Sequence, residues 1–234
     1  MSRLAIFRLN DLYRLGLFLS LVFATFAEAK RLRVPEPSLE RALAETLGVP
    51  REELTEELVA KNLRFLDAGK RQLKDLTGLE VAENLEVLDL RQNLIEDISP
   101  LANLPNLVRL DLSDNQINDL SALESLSLER MRQEISQIQV SLQSRTLPKE
   151  EKAKLIVKLS GIVGRINRGT WSLQFLSLAN NKLLGLSGIG RLTSLRHLDV
   201  SGNSLIDLEG VGQLQNLVTL SAQGNQLGRV ESYV

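Results

Sequence analysis

The chain has 234 residues, a formal net charge of −1, and 43% hydrophobic residues against 4% aromatic ones. The near-neutral balance excludes a global basic field for nucleic acid. The absence of cysteine excludes disulfides, thiolate metal sites, a cysteine nucleophile and a lipid-bearing cysteine anchor. A single His is thin material for a metal centre or a Ser-His-Asp arrangement, so neither a cofactor nor a metal is expected.

At the start of the chain, Arg3, Arg8 and Arg14 precede an apolar run from Leu15 to Ala27, and Ala27-Glu28-Ala29 offers small residues at the spacing of a signal-peptidase site. The run is about 13 residues long, whereas a membrane span needs roughly 20. Residues 1–29 are therefore expected to be a secretory signal, with the mature chain secreted or periplasmic and without a membrane span.

Residues 30–62 change character. Pro35 and Pro37 open the segment, and Ser38 is the expected helix N-cap, with Glu40 in the first turn. Leu39, Ala42, Leu43 and Leu47 share a helical face that Gly48 closes. A second short helix is expected from Pro50 through Leu54, Leu58 and Val59.

A repeat follows. Leu85-Glu86-Val87-Leu88-Asp89-Leu90-Arg91-Gln92-Asn93 recurs 22 residues later as Leu107-Val108-Arg109-Leu110-Asp111-Leu112-Ser113-Asp114-Asn115. A degenerate copy with Arg71 at the Asn position starts at Leu63, and further copies start at Leu173, Leu195 and Leu217. The pattern L-x-x-L-x-L-x-x-N and its period are those of leucine-rich repeats. Within each copy the last two leucines alternate with exposed residues, giving a short strand with one buried face. One copy cannot bury that face alone, so the copies stack and share a core. The recurring Asn at 93, 115, 181, 203 and 225 falls where the chain turns inward, and its amide can satisfy backbone groups of the neighbouring turn. The two helices of residues 30–62 then read as an N-terminal cap over the open end of the first repeat.

The fold class is an α/β solenoid: a leucine-rich repeat horseshoe of short parallel strands with a helical cap. Repeats occupy residues 63–126 and 171–234, three on each side of an interruption at 127–170. In the interruption, Leu128, Met131, Ile135, Ile138 and Leu142 follow a three-four spacing. Ser144 to Pro148 breaks it, and Leu155, Leu159, Ile162 and Ile166 form a second seam widened by Ile156 and Val163. An inserted antiparallel helical hairpin is expected, with Gly161 and Gly164 allowing close backbone approach. From Glu124 to Arg168 there are nine cations and five anions, a local +4 that leaves −5 for the remainder. Such an insertion is either a solvated pair of helices or an interaction arm. Its lack of aromatics argues against single-stranded nucleic-acid stacking. Trp171, at the junction, is expected to pack as a wedge.

Val34-Pro35-Glu36-Pro37-Ser38-Leu39-Glu40-Arg41-Ala42-Leu43, Leu66-Asp67-Ala68, Leu76-Thr77-Gly78-Leu79-Glu80 and Ile98-Ser99-Pro100-Leu101 resemble exported bacterial leucine-rich repeat proteins of the internalin style, over roughly residues 33–126 and 171–230. The resemblance implies a protein partner, of unstated identity, held on the concave sheet face.

Each strand exposes two positions there. Phe65, Val87, Arg109, Phe175, His197 and Thr219 form one column; Asp67, Asp89, Asp111, Ser177, Asp199 and Ser221 form the other. The Asp column belongs to the common repeat pattern. The first is free to vary and carries aromatics and Arg, residues enriched at interface hot spots. The expected partner-binding set is Phe65, Arg91, Arg109, Phe175, His197 and Gln223. At the far end, Leu220, Ala222, Leu227 and Val230 present an apolar edge, from which weak end-to-end self-association is expected. No nucleophile elbow, phosphate loop or zinc motif points to an enzyme. The expected function is a non-catalytic protein-binding module of an exported bacterial protein; the alternative is an intracellular scaffold like the phosphatase-regulatory leucine-rich proteins, which share the 22-residue repeat.

Overall fold

The computed structural model describes residues 30–126, 128–144, 146–168 and 173–228; the expected signal segment, Trp171 and Val230 lie outside them. Six three-residue strands are built from the variable positions and the leucine between them: β1 (Phe65–Asp67), β2 (Val87–Asp89), β3 (Arg109–Asp111), β4 (Phe175–Ser177), β5 (His197–Asp199) and β6 (Thr219–Ser221). They form one parallel sheet in sequence order. The central leucines Leu66, Leu88, Leu110, Leu176 and Leu198 stand in register and are buried. Short 3₁₀ segments such as Leu79–Val81, Ser99–Asn103 and Ile189–Arg191 carry each repeat across the opposite side. The core between is one cluster of aliphatic side chains from Leu32 to Leu214. The fold is thus a leucine-rich repeat solenoid.

Two side-chain ladders tie the repeats together. The Asn93 Oδ1 accepts from the Arg71 and Leu73 amides, both at 3.0 Å. Its Nδ2 donates to the carbonyls of Ala68 in the preceding repeat (3.0 Å) and Leu90 in its own (2.8 Å). Asn115, Asn181, Asn203 and Asn225 repeat this arrangement. Each amide, buried in all but the half-buried Asn225, therefore removes backbone donors and acceptors from the unpaired state. A second ladder was not foreseen: Asn84, Asn106 and Asn216 each stand just before the first Leu of a repeat, and Asn84 donates to Ala60 in the helical segment before the first repeat, while Asn106 and Asn216 donate to Glu83 and Thr193 of the preceding repeat. The recurrence of Asn at that position was the available signal.

The interruption is looped out of the solenoid. β3 pairs directly with β4, so the repeat offset becomes 66 residues, seen also in the Asn180 to Asp114 hydrogen bond. The Leu112 amide donates to the Ser177 carbonyl (2.9 Å), the Asp114 amide to Ala179 (2.8 Å) and the Gln174 amide to Val108 (2.9 Å). Asn181 spans the same junction, accepting from Ile117 and donating to Leu112.

The segment before β1 holds α1 (Pro37–Leu47) and α2 (Glu56–Asn62). α1 buries Leu39, Ala42 and Leu43 and ends in Gly48 at φ 68°. Its start differs from expectation: Pro37 occupies the first turn and Glu36, not Ser38, is the N-cap, without a side-chain cap bond. Proline's fixed φ suits the first helical position, and that preference wins over the serine cap. The second helix also starts later than expected. Pro50 opens only a 3₁₀ turn, Arg51–Glu53, and Leu54 then turns extended to bury itself. Thr55 begins α2, accepting the Leu58 amide at 3.2 Å, with Glu56 and Glu57 complementing the helix dipole.

Within the interruption lie α3 (Leu128–Leu142) and α4 (Lys149–Arg168). They pack through Ile138 and Ile162, flanked by Ile135, Leu142, Leu155 and Leu159, in a cluster separate from the solenoid core. Glu134 and Lys158 pair across them at 2.7 Å. The expected widening of the seam is not seen: Ile156 is 53% exposed and Val163 also faces solvent. Nor does Gly161 mark a close approach, since nothing lies within 4 Å of the Cβ position it lacks.

Candidate functional site

The repeat register lays the six variable positions side by side across the concave face: Phe65, Val87, Arg109, Phe175, His197, Thr219. Three of the expected residues meet there. The Arg109 guanidinium carbon lies 3.6 Å over the Phe175 ring. The Phe175 and His197 rings stand 6.2 Å apart, tilted by 39°. His197 Nδ1 is 2.7 Å from Thr219 Oγ1. A cation, an aromatic ring, an imidazole and a hydroxyl thus run continuously over four strands. The stacked guanidinium fixes the ring on its strand, a contact worth about 1 kcal/mol at an exposed site.

The other expected residues lie apart from this row. Phe65 is 59% exposed on β1 but separated from Phe175 by Val87 and Arg109 on the intervening strands. Arg91 turns back on its own strand, with Nε 3.1 Å from Asp89 Oδ2. Gln223 is exposed at the last repeat.

The neighbouring column is acidic and mostly self-engaged. Asp67, Asp89, Asp111 and Asp199 each accept, through Oδ1, the amide two residues on, at 3.0–3.1 Å. Ser113 and Ser201 also donate their hydroxyls to Asp111 and Asp199 Oδ1, both at 2.6 Å. These turns close the strands, which explains the recurrence of Asp as a folding feature. Among the described residues, no group of three or more His, Asp or Glu is placed to hold a metal ion. No described helix is long and apolar enough to cross a membrane.

A family profile for leucine-rich repeats in two copies matches residues 83–128 and again residues 171–213, on either side of the interruption. No curated protein matches the sequence. Among solved structures, the chain is similar to an internalin C2 from Listeria monocytogenes at 22% identity, covering 84% of this chain and 77% of that one with a TM-score of 0.50. It is also similar to the functional domain of InlJ from Listeria monocytogenes at 18% identity, covering 85% of this chain but only 34% of that one, with a TM-score of 0.58. These likenesses share the fold.

Proposed function

We propose that the chain is a non-catalytic protein-binding module of an exported bacterial protein, with its partner held on the concave sheet face. The observation that carries this reading is the row Arg109–Phe175–His197, aligned on adjacent strands of a single sheet. Aromatic and Arg side chains held rigidly lose little conformational entropy on binding, which is why they dominate interface energetics. Phe65, Arg91 and Gln223 serve as outer contacts. The signal-like composition of residues 1–29 supports export, and sequencing the N-terminus of the protein recovered from the culture fluid or periplasm checks it. An intact Met1 on cytoplasmic protein favours the scaffold alternative instead.

A second contact surface is favoured by a separate observation. On α3 and α4, Val140, Ile156 and Val157 are exposed among basic residues, and Val157 is 73% accessible. The pair therefore has the character of an interaction arm. The terminal repeat supports the weaker reading of end-to-end association, because Leu220 is 40% exposed where its counterparts in the other strands are buried.

The test is a pull-down from the native envelope or secreted fraction with the full chain, Phe175→Ala, Arg109→Ala and a form in which a short Gly-containing loop replaces residues 127–170. The expected partner binds the full and trimmed forms and is lost, or weakened at least about tenfold, in Phe175→Ala. A partner kept by Phe175→Ala and lost on trimming moves the function to the helix pair.

A further inference from the structure

One serine on the concave face breaks the pattern around it. Ser177 occupies the position held by Asp in β1, β2, β3 and β5, and it is only 6% exposed. Its hydroxyl makes no hydrogen bond among the described residues, whereas the nearby hydroxyls of Ser113 and Ser201 are engaged by Asp111 and Asp199. A buried polar group without a partner is unusual and calls for an explanation.

Its surroundings supply one. Asp111 and Asp199 flank Ser177 in register on the two adjacent strands. Both carboxylates use Oδ1 for their turns. Neither has a salt bridge, so each leaves Oδ2 unpartnered among the described residues. Two residues on, the two neighbours carry Ser113 and Ser201, while the middle strand has the smaller, buried Ala179. The small side chains of Ser177 and Ala179 thus leave a notch between the strands that carry the two carboxylates, on the strand that also carries Phe175. Arg109 does not fill it, because its guanidinium is stacked on Phe175.

We propose that this notch receives a lysine or arginine side chain of a protein partner. The inference rests on the concave-face reading above and specifies the partner's chemistry. The carboxylates stand two strands apart, about 10 Å between backbones. A guanidinium reaches toward both carboxylates through N–H groups on opposite edges of its plane, whereas an ammonium reaches one carboxylate and the Ser177 hydroxyl, in each case by hydrogen bonds of about 2.7–2.9 Å. The Ser177 hydroxyl is then one acceptor and the Asp Oδ2 atoms the others. The aliphatic stem of the incoming side chain packs on Phe175 and Ala179.

The experiment is selection of a phage-displayed random peptide library on the full chain, followed by binding measurements on the selected peptides. Variants are Asp111→Asn with Asp199→Asn, Ser177→Val and Phe175→Ala. Asn keeps an oxygen for the turn while removing the charge, so the paired substitution leaves the strand ends closed. The expected peptides depend on Phe175, are enriched in Lys or Arg, and bind about tenfold or more weakly to the Asn pair. Their binding also weakens in Ser177→Val. Peptides that depend on Phe175 but show no basic enrichment, or keep their affinity for the Asn pair, overturn this proposal and leave the concave-face reading standing. Failure to select any peptide that depends on Phe175 overturns both.

Discussion

The solenoid and the inserted helix pair bury their side chains in different ways. The solenoid shares one core among all repeats, and every turn is cross-linked to the next by an Asn amide. The helix pair has its own small core, in which Ile138 and Ile162 are the buried members. Several of its apolar residues remain in solvent. A shared core makes stability a property of neighbouring repeats, whereas a satellite core leaves the insertion free to unfold by itself. The two regions should therefore respond separately to perturbation.

The largest effect is expected from Asn181→Ala. It leaves the Ile117 amide and the Leu112 carbonyl without their side-chain partner at the β3–β4 junction. At about 1–3 kcal/mol for each buried group, the loss is about 4 kcal/mol, measured by chemical denaturation of the sheet. Ile162→Ala is expected to cost about 2–3 kcal/mol. In hydrogen exchange, that loss is confined to amides of α3 and α4. Equal loss of protection in β3 and β4 would mean that the two cores are one.

Gly202→Ala should cost about 1–2 kcal/mol in thermal unfolding. Gly202 sits at φ 65°, and an added Cβ would collide with the Asn180 carboxamide. The smallest effect concerns pH. The Ser121 amide and hydroxyl hold the Asp119 carboxyl below its ordinary value of 3.8. The stability this contributes is present above that value and declines as pH falls through the lowered folded value. Asp119→Asn keeps an acceptor for the same amide, so part of the acid sensitivity below about pH 4 should disappear from the melting curve.

The sequence made the solenoid legible because one residue pattern encodes strand, turn and ladder together. The Asn at 93, 115, 181, 203 and 225 could be assigned a backbone partner from spacing alone. Local helix starts were less legible, since Pro37 against Ser38, or Pro50 against Thr55, is a competition between small preferences that tertiary packing decides. The concave columns were readable as lists. The contact between Arg109 and Phe175 was not singled out, because it joins residues 66 apart, and only once β4 is placed against β3 do they become neighbours. Ser177 stands in the second column where four of the six strands carry Asp, and its burial between two Asp strands emerges only from the fold.

The central claim is that six strands make one sheet across the interruption, so that both halves build a single concave face. Native-state hydrogen exchange of the Leu112, Asp114 and Gln174 amides tests it directly, because each donates across the β3–β4 junction. The account predicts protection equal to that of the Leu90, Gln92 and Val108 amides, which make the corresponding bonds between β2 and β3. Rapid exchange at the junction, with strong protection retained within each half, would contradict it.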